Sequence, residues 1–183
     1  DVLQYGAKAD GTHLNTEAIA KAVEAAASAG PEGGIVRFPK GESHYLTGPI
    51  HLKSHVNLQL DDNVVVKFTD DWDAYMPMVE VRWEGIMLKS FSPLIYGYNV
   101  TNIAILGGTG SIRDGSGKKW WDFYMGLEIQ HYEKGHWNTD TKWQQECLKA
   151  NPDKVKHWEN WPADERPGNP RLISCFMRPV FFH

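Results

Sequence analysis

The chain has 183 residues, 42% of them hydrophobic and 23% charged, the balance of a soluble domain with one substantial core. A formal net charge of -4 leaves no basic footprint for nucleic acid, and no apolar run reaches the ~18 to 20 residues of a membrane span. Asp1 in place of Met implies a processed or trimmed start, with any signal peptide outside the sequence. Cys147 and Cys175 fit either one disulfide or two separate thiols, which leaves the compartment open.

The first predicted element is an amphipathic helix. Asn15 or Thr16 caps it, Glu17 puts an acid in the first turn, and Gly30 ends it. Ile19, Val23 and Ala26 or Ala27 form its apolar stripe. Beyond Gly30 the period shortens to that of strands. Segments are predicted at Gly34–Pro39, at Tyr45–Leu52 with a break at Gly48-Pro49, at Val56–Leu60, and at Val64–Phe68 after an Asp61-Asp62-Asn63 turn. Short β segments with brief turns and no helices between them do not fit a doubly wound α/β sheet; a sandwich, a barrel or a solenoid remains.

Repetition brings the solenoid level with the sandwich, and the residues alone leave both open. Asn57-Leu58-Gln59-Leu60 recurs as Asn102-Ile103-Ala104-Ile105, and Gly107-Gly108 then precedes Gly110-Ser111-Ile112-Arg113. The 45 residues between the two Asn correspond to two turns of roughly 22 residues. Asn side chains at matched positions would then form an amide ladder. On this reading the helix closes the open edge of the first coil.

From about Gly115 to Gly168 the pattern changes to a polar stretch without period-2 runs, and six of the eight Trp fall between positions 120 and 161. Such rings either stack on sugars and partner surfaces or pin a long surface loop. Leu127–Lys134 and Asp140–Ala150 are predicted short helices, the second capped by Asp140 and stopped by Asn151-Pro152. The stretch reads as an insertion projecting from the solenoid. A strand pattern resumes at Arg171 and is still running at His183, so further coils are expected beyond it. A bare last coil would pair with other copies. His131 and His136 are five apart with no Cys around them, a poor metal set. Gly107-Gly108-Thr109-Gly110 and Gly117-Lys118 suit tight turns better than a phosphate loop, because Ile112 stands where such a loop needs Gly.

Tyr5-Gly6-Ala7-Lys8-Ala9-Asp10-Gly11, Asn15-Thr16-Glu17-Ala18-Ile19, Phe38-Pro39-Lys40-Gly41 and Tyr45-Leu46-Thr47-Gly48-Pro49-Ile50 leading to Leu52-Lys53-Ser54 resemble the opening of pectin-degrading β-helices. Gly108 to Trp121, with Asp114-Gly115-Ser116-Gly117 and Trp120-Trp121, resembles the stretch before the catalytic coils of polygalacturonases. Phe91-Ser92-Pro93-Leu94-Ile95-Tyr96 is similar to a segment of bacterial exo-acting members. In order and spacing the pieces resemble glycoside hydrolase family 28, over residues 1 to about 121 and 171 to 183.

The resemblance implies an all-β fold, a right-handed parallel β-helix (pectin lyase-like solenoid) with an N-terminal capping helix and a long Trp-rich insertion. It implies a single β-helix domain whose C-terminal coils are absent from the chain. It also implies inverting, exo-acting hydrolysis of α-1,4-galacturonan, no cofactor, and a secreted or periplasmic location. The partners implied are pectic polysaccharide or galacturonate oligomers, with no nucleic acid and no membrane. The family's catalytic acids lie in an Asn-x-Asp-Gly-type motif and a following Asp-Asp pair, with Gly-His-Gly and Arg-Ile-Lys motifs after them. None is present, so the catalytic residues are expected beyond residue 183 and the chain alone is expected to be inactive. Asn138-Thr139-Asp140 copies the first motif only in part, since Thr141 replaces the Gly, and Gly135-His136-Trp137 lacks its final Gly.

What remains is a part of the substrate cleft. Arg178 suits bidentate pairing with a uronate carboxylate, and Lys118 or Lys119 a point charge. Trp120 and Trp121 suit a cleft wall, and Arg82 beside Trp83 and Glu84 is a further candidate. Each also has a plain structural reading, as a solvated cation or a packed ring. The rival function is a non-catalytic β-helix, either a carbohydrate-binding or a structural module.

Overall fold

Alternating burial along Val56–Leu60, with Val56, Leu58 and Leu60 inward, sets the local rule of the first part of the molecule. The computed structural model describes residues 1–83, 86–122 and 142–152. Among these, residues 1–74 and 93–116 form one compact unit, and residues 75–92 with the described residues from 117 onward form another.

In the first unit, strands β1 (Gly34–Phe38), β2 (Tyr45–Thr47) and β3 (Ile50–His51) make one coil. Strands β4 (Val56–Leu60) and β5 (Val65–Phe68) begin the next. After the hairpin strands β6 (Val79–Trp83) and β7 (Ile86–Ser90), β8 (Ile95–Tyr96) completes that coil, and β9 (Ala104–Gly107) and β10 (Ile112–Asp114) open a third. Neighbouring coils pair in parallel as three ladders, β1-β4-β9, β2-β5-β10 and β3-β8. This is the connectivity of a parallel β-solenoid, in which strand N–H and C=O groups pair with the neighbouring coil. Side chains stack with it. Val36, Leu58 and Ile105 align across the first ladder, Tyr45 with Val66 and Thr47 with Phe68 across the second, and Ile50 with Ile95 across the third.

The 45-residue spacing is therefore one enlarged turn and not two ordinary ones. Gly34 faces Val56 and Tyr45 faces Val66, as ordinary turns require, but β4 pairs directly with β9 and β5 directly with β10. The extra length enters between β5 and β8, where the chain forms the antiparallel β6–β7 hairpin. The expected Asn ladder fails for the same reason. Asn57 aligns with Ala104, and Asn102, at φ 53°, places its amide 3.2 Å from the ring nitrogen Nδ1 of His55.

Helix α1 (Thr16–Ala27) buries Ala18, Ile19, Ala22 and Val23 and lies against β1, β3 and β4, which is the capping position expected. Asn15 precedes it but makes no side-chain cap. Instead it is fully buried, and its Oδ1 accepts from the Lys8 N–H (2.6 Å). Its Nδ2 donates to the carbonyls of Lys8 (3.0 Å), His13 (2.9 Å) and Leu46 (3.0 Å). One amide thus ties the N-terminal segment to the first coil. The cap position of the helix was legible, while the long-range use of the side chain was not.

In the second unit, Tyr75, Phe91 and Trp120 meet edge to face, with centroids 5.2 Å apart for Tyr75–Trp120 and 5.5 Å for Phe91–Trp120. Helix α2 (Lys142–Ala150) packs on β7 and ends at Asn151, as the sequence indicated. Asn151 accepts from the Lys89 N–H (2.7 Å) and donates to the carbonyls of Lys89 and Cys147 (both 2.8 Å). It therefore serves the edge of β7 as a further strand residue would, while capping a helix-end carbonyl. Cys147 is fully buried and disulfide-bonded; Cys175, the predicted helix Leu127–Lys134, the Asp140 cap and the strand from Arg171 lie outside the described residues.

Candidate functional site

Because strands stack in register, one outward position repeated on three coils builds a surface. Arg37 on β1 faces Gln59 on β4, which faces Leu106 on β9. With Lys40 and the turn Asp61-Asp62 they line an open groove of about 460 Å³, floored by Gly107 and Gly108. A volume of this order suits one or two small polar rings.

The groove is held by two devices. Arg37 grips Asp61 with both ends of its fork, Nε to Oδ1 at 2.8 Å and Nη2 to Oδ2 at 2.6 Å. Asp62 Oδ1 accepts from the Thr109 N–H at 2.6 Å, while the Gly108 N–H donates to the Leu60 carbonyl at 2.7 Å. A Cβ on Gly108 would lie 2.5 Å from the Asp62 nitrogen, so the close approach of these two turns requires glycine. Gly107-Gly108-Thr109-Gly110 is accordingly a solenoid turn.

The Arg37 guanidinium, through its hydrogen bonds and then its charge, holds the Asp61 carboxyl below the usual carboxylate range, and Asp61 raises Arg37 in turn. Burial, with the Asp61 charge second, pushes the Tyr45 phenol up to about 12, and its hydroxyl donates to the Pro39 carbonyl at 2.7 Å. A carboxylate held low and a phenol held high are both poor proton donors and acceptors near neutral pH. Arg37, Lys40 and Gln59 beside Asp61 and Asp62 give the groove a lining of mixed charge, with Asp61 and the Arg37 fork engaged by each other.

The same shift sets a pH dependence. Asp61 is lower in the folded than in the unfolded chain, so its contribution to stability is present above the ordinary carboxylate range and lost as pH falls through the folded value. Asp10 behaves alike, since the backbone N–H groups of His13 (2.7 Å) and Thr12 (2.9 Å) lower its carboxyl. Asp61→Asn should therefore flatten the acid side of a stability-versus-pH curve and leave the neutral-to-alkaline side parallel to the parent. An unchanged acid limb in urea unfolding would contradict the role of the pair.

The residues singled out from sequence fall elsewhere. Trp120 is only 3% exposed and packs edge to face with Tyr75 and Phe91. Trp121 beside it is 52% exposed. Lys118 is exposed and pairs with Asp122 at 2.6 Å. Arg82 is exposed on β6. Arg178, Glu84, His131, His136 and Asn138-Thr139-Asp140 lie outside the described residues. Arg82, Lys118, Trp120 and Trp121 all belong to the second unit. Sequence reasoning passed over Arg37, Lys40 and Gln59. Their only signal was the outward position of Arg37 in Gly34–Phe38 and of Gln59 in Val56–Leu60, which points to one surface once the register is known. Among the described residues no group of three or more His, Cys, Asp or Glu is placed to hold a metal, and no helix is long and apolar enough to cross a membrane.

Comparison with known proteins follows the same lines. The family model of rhamnogalacturonase A/epimerase, pectate lyase-like, matches residues 1–71. A probable polygalacturonase of Vitis vinifera is 32% identical over 135 residues, 71% of this chain and 27% of that protein. The exo-poly-alpha-D-galacturonosidase of Dickeya chrysanthemi is 45% identical over 75 residues, 41% of this chain and 12% of that one. The plasmin and fibronectin-binding protein A of Streptococcus pneumoniae is 40% identical over 65 residues, 36% of this chain and 9% of that one. The crystal structure of a hyperthermoactive exopolygalacturonase from Thermotoga maritima superposes with a TM-score of 0.67 at 32% identity, covering 100% of this chain and 38% of that chain. The chain thus spans 27% or less of the length of these curated relatives.

Proposed function

We propose that this chain, which the comparisons support as polygalacturonase-like and of glycoside hydrolase family 28, is the N-terminal part of an inverting, exo-acting hydrolase of α-1,4-galacturonan. The observation that carries the reading is the superposition of the whole chain on an exopolygalacturonase at 32% identity. In this proposal residues 1–183 form one right-handed β-helix domain with an insertion near 115–170, continued by further coils. The right-handed sense follows the strong general preference of parallel crossovers.

Inversion needs an acid on the leaving oxygen and a carboxylate that activates water across the ring, with the two carboxyls roughly 6.5 to 9.5 Å apart. We place that pair in the later coils, where the family's motifs belong, and assign this chain to substrate binding. Arg37, Lys40 and Gln59 offer the groove described above, while Arg82, Lys118, Trp121 and Arg178 remain proposed contacts for a uronate chain. The pectic substrate needs no cofactor, nucleic acid or membrane. The disulfide at Cys147 supports an oxidising compartment, secreted or periplasmic.

Proton NMR of the first product released from trigalacturonate by the full-length protein tests the mechanism. The β-anomer should appear first; initial α-anomer would rule out inversion. Deleting residues 122–168 should shift the products from monomer toward oligomers, and unchanged monomer release would remove the insertion from the exo assignment. The streptococcal relative supports a second reading, a non-catalytic binding module. Coding sequence beyond His183 without paired Asp motifs would favour it.

A further inference from the structure

The third ladder carries a feature that neither the groove nor the predicted cleft residues use. Ile50 and Ile95 pair inward and are buried, so their neighbours His51 and Tyr96, paired in register, point outward. The two rings lie 5.1 Å apart at 59°. Tyr98, two residues on, continues the row, with its ring 6.4 Å from Tyr96 and tilted only 15° from it. Tyr98 is 55% exposed. Lys53, two residues beyond His51 in the chain, is exposed and pairs with Glu24.

A contact between coils explains His51 against Tyr96. It does not explain Tyr98, a large ring held nearly parallel to its neighbour with more than half of its surface in water. Pyranose rings offer a flat face of C–H groups that packs on such aromatic faces, and their hydroxyls stay in solvent beside the phenol. Each added coil of a solenoid extends the same ladder, so this row is in line with the outward surface of that ladder on any coil that follows.

We propose that His51, Tyr96 and Tyr98 form a stacking platform for the pyranose rings of a uronate chain; this rests on the pectic reading above. The test is isothermal titration of the full-length protein with galacturonate oligomers and, in parallel, with a neutral galactan oligomer. Tyr98→Ala should weaken galacturonate binding about tenfold, whereas Tyr98→Phe should keep it, with circular dichroism unchanged for both. Unaltered binding by Tyr98→Ala would overturn the platform while leaving the pectic reading in place. Binding only of the neutral oligomer, abolished by Tyr98→Ala, would keep the platform and overturn its uronate specificity. No binding of either oligomer would overturn both.

Discussion

Gly33→Ala should destabilise the solenoid unit by at least about 3 kcal/mol, read as a fall in the urea midpoint. Gly33 has φ +68°, a backbone conformation that L side chains rarely adopt. A Cβ there would lie 1.8 Å from the His55 carbonyl oxygen, which already accepts from the Gly34 N–H at 3.0 Å. His55 cannot move aside easily, because its own N–H donates to the Thr101 carbonyl at 2.9 Å in the next coil. The added Cβ therefore meets a backbone carbonyl of the next coil that is itself held from the coil beyond. Gly30→Ala is the matched control, with φ +125° but nothing within 4 Å of a Cβ. It should cost only the conformational strain, of order 1 to 2 kcal/mol. Equal losses at the two sites would contradict the coil contact as the cause.

Trp120→Ala should cost the second unit about 3 to 5 kcal/mol, because it removes the ring that Tyr75 and Phe91 both pack against. The two units need not unfold together, so the loss is best read locally, as faster hydrogen exchange or proteolysis at residues 86–91. Trp121→Ala removes an exposed ring and should leave that protection within the range of surface substitutions. A Trp120→Ala protein with parent-like protection and weaker sugar binding would place Trp120 at the cleft wall.

The strands of the first unit were legible because alternation and turn residues act locally. Tyr45–Leu52 with its Gly48-Pro49 break becomes β2 and β3, and Asp61-Asp62-Asn63 is the turn between β4 and β5. The size of the second coil was not legible. A spacing of 45 fits one long turn or two short ones, and only the pairing of β4 with β9 decides. The hairpin that fills it did leave a signal, the alternation Val79-Glu80-Val81-Arg82-Trp83, which a search for solenoid repeats passes over. The burial of Trp120 had no local signal, since Tyr75 and Phe91 reach it from far along the chain. The groove had little more. Arg37, Gln59 and Leu106 are ordinary outward residues until the register places them side by side.

We propose that the chain supplies binding surface to a galacturonan hydrolase whose catalytic pair lies in later coils. Reducing ends released from polygalacturonate measure it directly, with the full-length protein and residues 1–183 assayed side by side. Steady release by the full-length protein and none by residues 1–183 is the expected result. Release by residues 1–183 alone, or none by the full-length protein, would contradict the account.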